Sequence, residues 1–316
     1  MRKIFILLIG LSFSISLSGE KSKVNISSAI SDDNELKLPC FFKNNLIYLS
    51  AKLSNNDSLT FYTDTGGKNF LYTSGLKKLR IKNTTENLWE NSNIKAIFTA
   101  NNISFPKKAE IYSTKEKGVI EDGMLGREWF ADRIWRINYK RNFLSEITNI
   151  PHNEFEPISS LCFLKDDKKQ VINHLPRIEI VIKNDTLSFL FDTGAQVYLS
   201  DAAQEQMNDQ SLTAISFISS SIFNSWKTSY PEWEVIKKGD KQYKADIIRV
   251  PEIKIGSKII GPIWFVKREE QNFEVMSRRF MDKQIVGAIG GNALSLLGDI
   301  IVDYQNEKLY INKNYR

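Results

Sequence analysis

Two stretches of the sequence share one pattern: residues 59–67 read LTFYTDTGG, and residues 187–195 read LSFLFDTGA. Each is an apolar run that ends in Asp-Thr-Gly, and each follows an earlier apolar run, at residues 46–53 and 178–182. Apolar runs bounded by Asn and Asp are typical of paired strands joined by tight turns. The pattern predicts that each half of the chain places an Asp-Thr-Gly loop at the end of a strand.

The two halves match again downstream of these motifs. Residues 123–126 read GMLG and residues 287–290 read GAIG, and residues 136–139 (RINY) then correspond to residues 301–304 (IVDY). Self-similarity of this kind marks a repeated structural unit. The sequence therefore predicts two homologous lobes.

This order of motifs resembles the pepsin/retropepsin-like aspartic peptidases, and the resemblance covers roughly residues 35–316. It implies an all-β, two-lobed acid protease fold with pseudo-two-fold symmetry and minor helix. Pro151 and Pro157 predict a linker over residues 151–160, between a first lobe at 35–150 and a second at 161–316. Asp64 precedes Gly126 by 62 residues and Asp192 precedes Gly290 by 98, so the second lobe carries an insertion, which we place between Ser211 and Tyr243.

Two aspartates brought together suit metal-free hydrolysis of peptide bonds. Carboxyl groups about 3 Å apart do not both ionise readily, so one keeps a proton while the other acts as a base, and aspartic peptidases are the standard example. The ionised carboxylate takes a proton from water, and the protonated one donates to the scissile carbonyl oxygen. The sequence predicts an exported aspartic endopeptidase with Asp64 and Asp192 as catalytic residues, and leaves open which of them holds the proton.

The resemblance also implies supporting roles for other motif residues. Glycine lets each loop turn tightly and approach its partner, and the threonine hydroxyls hydrogen-bond the opposite loop. The apolar pairs before the later glycines pack beneath the loops, where those glycines allow a close backbone crossing. These supporting residues are Thr65, Gly66, Thr193, Gly194, Gly126 and Gly290. Lys68 departs from the family pattern and brings a cation near the dyad.

A lid over the cleft is expected to be a β-hairpin. Residues 233–236 and 243–250, joined by a turn at 238–240, predict one in the second lobe. Its candidate lid residues are Trp233, Gly239 and Tyr243, although such a hairpin is equally consistent with plain structure. The first lobe offers only residues 89–95. Trp226 and Tyr230 are also candidates for substrate contact, but aromatic residues in a β-rich protein are more often core.

The N-terminus predicts export. Residues 1–18 combine a basic start, an apolar run too short for a membrane span and small residues near position 18, as in a signal peptide. An uncleaved anchor is the alternative. A polar segment follows at residues 19–34, either disordered or a propeptide. Export to the periplasm or the medium would allow a disulfide between Cys40 and Cys162, which open equivalent strands; two buried free thiols are the alternative.

Other kinds of site find little support. The net charge of +6 comes without a dense Lys/Arg stripe, so no nucleic-acid partner is expected. The two histidines, His152 and His174, and the two cysteines lack metal-ligand spacing, so we expect no metal and no cofactor. We expect a monomer that acts on polypeptides and does not stay inserted in a membrane. Two alternatives remain: a non-catalytic peptide-binding or inhibitory protein with this fold, and a hydrolase or transpeptidase acting on one exported partner.

Overall fold

The computed structural model describes residues 31–32, 34–53, 57–79, 88–90, 108–112 and 120–315. The predicted signal peptide lies outside these ranges. So do most of the polar segment at 19–34 and residues 91–95 of the first-lobe lid candidate.

Strands dominate the described part of the chain, as the sequence predicts. The first half contains β1 (Ser31–Asp32), β2 (Glu35–Lys37), β3 (Cys40–Lys43), β4 (Leu46–Lys52), β5 (Ser58–Thr63), β6 (Phe70–Tyr72), β7 (Leu88–Glu90), β8 (Lys108–Tyr112), β9 (Gly123–Leu125), β10 (Ile134–Asn138) and β11 (Phe143–Ile147). The second half contains β12 (Phe155–Ser160), β13 (Cys162–Lys165), β14 (Val171–Ile182), β15 (Asp185–Phe191), β16 (Gln196–Tyr198), β17 (Leu212–Ala214), β18 (Ser216–Ser219), β19 (Val235–Ile236), β20 (Ile247–Val250), β21 (Ile253–Ile255), β22 (Lys258–Ile260), β23 (Ile263–Arg268), β24 (Gly287–Ile289), β25 (Asp299–Asp303) and β26 (Lys308–Asn312).

Helices are short and lie between strands. They are α1 (Thr73–Lys78), α2 (Arg127–Phe130), α3 (Asp201–Met207), α4 (Ser220–Ser229), α5 (Glu270–Phe280) and α6 (Gly291–Leu294), with a 3₁₀ turn at Ser295–Leu297. Ser200 is a typical N-cap residue, so the sequence predicts a helix over residues 201–208 after the second Asp-Thr-Gly. That helix is α3, and the Ser200 hydroxyl caps it by accepting from the Ala203 N–H (3.3 Å). It ends at Asn208, which adopts a left-handed conformation (φ 51°). The sequence also predicts a short helix after each apolar-Gly pair, and α2 and α6 are these helices.

Each lobe is built around one sheet with the same central topology. In the first lobe, β5 pairs in parallel with β9, which pairs antiparallel with β6, and β6 continues to β8 and β7. In the second lobe, β15 pairs in parallel with β24, which pairs antiparallel with β18, and β18 continues to β23 and β20. The registers correspond as well, since Phe70 faces Met124 as Phe217 faces Ala288. The predicted duplication is therefore present in the strand pairing.

A third sheet joins the lobes. Its strand order is β1-β2-β11-β10-β25-β26-β12, so the closing hairpins of the two halves meet where β10 pairs antiparallel with β25. The Arg136 guanidinium bridges the two strands, with Nη2 2.7 Å from Asp299 Oδ2 and Nε 3.1 Å from Asp299 Oδ1. Both lobes contribute to one hydrophobic core that includes Trp135, Ile289 and Ile300. The predicted all-β, two-lobed and pseudo-symmetric architecture with minor helix is confirmed.

Two boundary expectations need adjustment. The segment expected to be a linker, residues 151–160, contains β12, which pairs with β26 in the shared sheet. Ser31 and Asp32, within the segment predicted to be polar and irregular, pair with β2. Both segments add edge strands to the sheet that joins the lobes.

The second-lobe insertion was predicted between Ser211 and Tyr243. This position is wrong for the largest block of extra residues. Six residues separate Asp64 from Phe70, whereas 25 separate Asp192 from Phe217, their counterparts in the second lobe. The extra residues form β16, α3 and β17, which lie mainly before Ser211. The expected region, residues 211–243, instead contains β18 and α4, which take the places that β6 and α1 have in the first lobe.

The cysteines do not form a disulfide: Cys40 and Cys162 are both free. The bridging alternative is therefore wrong, because β3 and β13 belong to two different sheets, while β10 and β25 make the main contact between the halves. The Cys40 thiol is engaged within its own lobe, where its sulfur accepts from the Leu144 N–H (3.3 Å).

We expect two alkylatable thiols in protein that has never met a reductant. Burial raises the pKa of Cys40 to about 11 and also raises the pKa of Cys162, so modification of the native protein should be slow, since the thiolate is the nucleophile. Unfolding in urea with iodoacetamide and no reductant should add two labels by intact-mass spectrometry. A peptide pair linked through Cys40 and Cys162 would contradict this structure.

Candidate active site

The two Asp-Thr-Gly loops start where parallel strand pairs end. The Asp64 N–H donates to the Leu125 carbonyl (3.0 Å), and the Asp192 N–H donates to the Ile289 carbonyl at the same distance. The ends of these strands next to the loops, residues 61–63 and 188–191, are buried on both faces, which explains why the sequence is not strictly alternating there. The predicted packing of the apolar pairs beneath the loops is present.

Threonine hydroxyls join the two loops across the lobe interface. The Thr65 N–H donates to Thr193 Oγ1 (3.2 Å), and the Thr193 N–H donates to Thr65 Oγ1 (3.0 Å). Thr65 Oγ1 in turn donates to the Phe191 carbonyl (2.8 Å). Both threonines are fully buried, so these bonds hold the loops in a fixed register.

The carboxyl groups of Asp64 and Asp192 come together between these loops. Their residues are 3% and 1% exposed, and the two side chains hydrogen-bond each other. Each carboxylate also accepts from the amide two residues on: Gly66 N–H to Asp64 Oδ1 (2.8 Å) and Gly194 N–H to Asp192 Oδ1 (3.0 Å). The arrangement is a symmetric, shielded carboxyl pair with fixed orientation.

Burial dominates the titration of this pair. It raises the pKa of Asp64 and raises that of Asp192 well above its ordinary value, and the charge of Asp64 raises the pKa of Asp192 further. The hydrogen bond from Asp192, the Gly66 and Gly67 amides and the charge of Arg127 act in the opposite direction on Asp64. The pair therefore favours a state in which one proton is shared between the two carboxyls.

Arg127, which we did not single out in the sequence, is a cation whose charge lowers the pKa of Asp64 against the effect of burial. Its N–H donates to the Gly67 carbonyl (3.0 Å), and its Nη1 also lies 3.4 Å from that oxygen. Its Nε pairs with Glu128 Oε1 at 3.1 Å. Its position at the start of α2, directly after Gly126, places it beside the first loop, and its short distance from Gly126 along the chain was the available signal.

Each loop needs its glycine because the carboxyl group of the opposite loop packs against that position. A Cβ at Gly194 would lie 2.2 Å from Asp64 Cγ, and a Cβ at Gly66 would lie 2.8 Å from Asp192 Cγ. Contacts below 3.0 Å are too short for any side chain. Only glycine at these two positions lets the carboxyl groups meet.

A second matched pair of bonds, not foreseen in the sequence, supports the loops from below. The Gly126 N–H donates to Asn69 Oδ1 (2.7 Å), and the Gly290 N–H donates to Ser216 Oγ (3.0 Å). Asn69 directly precedes β6, and Ser216 is the first residue of β18. The two are structural counterparts, because the next residues, Phe70 and Phe217, occupy equivalent positions in the two sheets. Their different side chains hid the correspondence. The backbone crossing expected at Gly126 and Gly290 is as close as predicted, since a Cβ at Gly290 would lie 1.9 Å from the Ile215 carbonyl oxygen.

The candidate lid is a hairpin, but Trp233 is not a lid residue. It is 5% exposed and packs in an aromatic cluster, stacked on Tyr230 (4.4 Å between centroids) and edge-on to Trp226 (5.8 Å). Burial of large aromatic surface makes Trp233 core rather than substrate contact, and the same holds for Trp226.

The hairpin pairs β19 with β20 at the edge of the second-lobe sheet. Its turn is tied down: the Gly239 carbonyl accepts from the Ser200 N–H (2.8 Å), and Asp240 pairs with Arg268 at 2.7 Å. Tyr243 is 58% exposed and packs against the Arg268 guanidinium (4.9 Å). Gly239 therefore anchors the turn, while Tyr243 is the one member of the predicted set on the surface.

Among the residues that the structure describes, no helix is long and apolar enough to cross a membrane. The same part of the chain contains no cluster of three or more His, Cys, Asp or Glu side chains arranged to hold a metal ion.

No protein-family model matches the chain, and no curated protein matches it. Among solved structures, it is similar to an aspartic proteinase from Irpex lacteus, with a TM-score of 0.48 and 10% identity over 89% of this chain and 98% of that one. It is also similar to conglutin gamma, a unique basic 7S globulin from lupine seeds, with a TM-score of 0.45 and 10% identity over 89% of this chain and 95% of that one. The functional assignment therefore depends on the site itself.

Proposed function

We propose that this chain is an exported aspartic endopeptidase that hydrolyses peptide bonds with water activated by Asp64 and Asp192. The observation that carries the proposal is the buried carboxyl pair, held in register by reciprocal threonine bonds between the two loops. Perturbed carboxyl groups that face each other favour acid–base catalysis over a structural role. Export rests on the sequence of residues 1–18.

The reaction uses the two protonation states of the pair. Asp64, beside Arg127, is the ionised member and takes a proton from water as the water oxygen attacks the scissile carbonyl carbon. Asp192 donates its proton to the carbonyl oxygen, which gives a tetrahedral diol. The C–N bond then breaks as the leaving nitrogen receives the proton held by Asp64, and a hydroxyl proton of the diol returns to Asp192. The pair ends in its starting state.

A peptide library tests the proposal. The purified mature protein is incubated with a diverse peptide mixture from pH 3 to pH 8, and new termini are identified by mass spectrometry, with Asp192→Asn as control. We expect cleavage that chelators do not affect and that the control lacks. Absence of cleavage at every pH would overturn the proposal, and retention of peptides on the immobilised protein without cleavage would favour the peptide-binding alternative.

We expect the protein to be a monomer in solution. One chain supplies both Asp-Thr-Gly loops to one dyad, so the site needs no second copy. Sedimentation velocity should give a single species of the mass of one chain, at most 36.4 kDa, across a hundredfold range of concentration. An obligate dimer whose dissociation abolishes activity would contradict the single-chain site.

A further inference from the structure

A buried phenol lies next to the dyad and has no counterpart in the other lobe. Tyr62, two residues before Asp64, is 5% exposed, and its hydroxyl donates to the carbonyl of Gly194 in the second loop. The register of β5 with β9 and of β15 with β24 makes Leu190 the equivalent residue of the second lobe. Since a hydrocarbon side chain suffices there, the fold does not require a hydroxyl at this position.

We propose that Tyr62 is a positioning residue: its hydroxyl, donating across the lobe interface to the Gly194 carbonyl, holds the second Asp loop in the orientation that the dyad needs. This inference rests on the proposed function and deepens it. The bond adds a further connection between the two Asp loops beside the threonine bonds. It is one-sided, because Leu190 offers no donor to Gly66.

The bond acts on Asp192 through one peptide group. The carbonyl of Gly194 and the N–H of Ala195 belong to the same peptide, and that N–H points back at Asp192, 3.3 Å from its backbone oxygen. The Gly194 and Ala195 amides both lower the pKa of Asp192 against the effect of burial. Donation to the carbonyl strengthens the N–H as a donor. Removing the Tyr62 hydroxyl therefore makes ionisation of Asp192 less favourable and lets the loop rotate.

The hydroxyl remains a donor at any working pH. Burial raises the pKa of Tyr62 well above its ordinary value. The titratable groups that face it raise the pKa further: Asp64 directly after the same strand, Tyr48 on β4, Asp192 on the second loop and Glu121 before β9. Arg127 acts on Asp64, and Tyr304 also interacts with both carboxyls. Neither of these two contributes to the bond with Gly194.

Tyr62→Phe tests the inference, with Tyr139→Phe as a matched control. Tyr139 is equally buried, and its hydroxyl has no hydrogen-bond partner within the described ranges, so its loss removes the same atom without a bond. In Tyr62→Phe we expect kcat to fall about 10- to 100-fold, since small misplacement of a catalytic group can cost that much. KM should stay within about threefold, because no substrate contact is removed. The high-pH limb of the kcat profile should move to higher pH.

Two outcomes would overturn the inference: a wild-type kcat and an unmoved high-pH limb in Tyr62→Phe, or equal changes in Tyr139→Phe. Both variants are first compared by urea unfolding to establish that they fold. If the wild-type protein cleaves no peptide, the proposed function fails, but Tyr62 is still tested by NMR titration of aspartate carboxyl carbons. The upper titration step of the dyad should then move to higher pH in Tyr62→Phe alone, and an unmoved step would reject the role.

Discussion

Asp192→Asn and Asp64→Asn should each reduce kcat by about 10³-fold or more while leaving the fold intact. General acid–base catalysis contributes about 10²- to 10⁴-fold, and each substitution removes a group that must carry a proton in the reaction. The amide oxygen of Asn can still accept from the Gly66 or Gly194 N–H, so the loops should keep their geometry. Steady-state cleavage of the best library peptide measures the effect.

The matched control is Asp201→Asn, which makes the same change on a side chain that is 94% exposed at the start of α3. It should cleave at the wild-type rate. The two dyad variants should also be non-additive, because the residues act as a unit and the double variant should be no slower than either single one. Substantial turnover by either single variant would reject the dyad.

The same variants test the raised pKa values through stability. A carboxyl whose pKa is higher in the folded state stabilises the protein below its ordinary value of 3.8, and that contribution is lost as pH rises through the folded value. The wild-type protein should therefore lose unfolding free energy as pH rises above about 4, while Asp192→Asn, which cannot acquire the second buried charge, loses less. Urea unfolding from pH 3 to pH 8 should show the variant gaining on the wild type as pH rises. A constant difference would mean that the pair is not buried and coupled.

The parts of the structure that the sequence predicted were those with a local signature. The strands at β4, β5, β14 and β15 and the paired closing hairpins follow from apolar runs, and repetition in the same order gave the two lobes. The cap at Ser200 gave α3. These features depend on near neighbours in the chain, which a linear pattern records.

The features that the sequence did not yield depend on contacts between distant residues. Asn69 and Ser216 perform the same task with different side chains, so comparison of the halves does not reveal them. The position of Trp233 in a predicted hairpin favoured a lid, but its side chain stacks on Tyr230 instead. The role of Tyr62 depends on its hydrogen bond to the Gly194 carbonyl in the other lobe. The position of Tyr62 two residues before Asp64 does not predict that bond. Helix α5 was not predicted either. Its apolar residues, such as the buried Phe273, lie in a part of the sequence that otherwise predicts strands.

Gly194→Ala should damage catalysis severely, although it adds only one methyl group. The new Cβ would lie 2.2 Å from Asp64 Cγ and 2.5 Å from Asp64 Cβ, so the loops must separate. Separation breaks the carboxyl contact and strains the threonine bonds, and displacement of about 1 Å can cost about 10²-fold in rate. Overpacking of a tight interior also costs about 1–3 kcal/mol of unfolding free energy. We expect kcat to fall at least about 10²-fold together with a lower urea midpoint.

Comparison of three glycines separates geometry of the dyad from general destabilisation. Gly66→Ala meets Asp192 Cγ at 2.8 Å, a milder overlap, and should retain more activity than Gly194→Ala. Gly298→Ala is the control: its φ of 77° makes alanine unfavourable, but the new Cβ would approach Tyr315 and Lys140, at 3.3 and 3.4 Å, rather than either Asp loop. Its kcat should be unchanged at temperatures where it is folded, despite a lower urea midpoint. If all three variants lose activity only in proportion to their stability, the close approach of the two loops is not what catalysis depends on, because a separated dyad would then work as well as the native one.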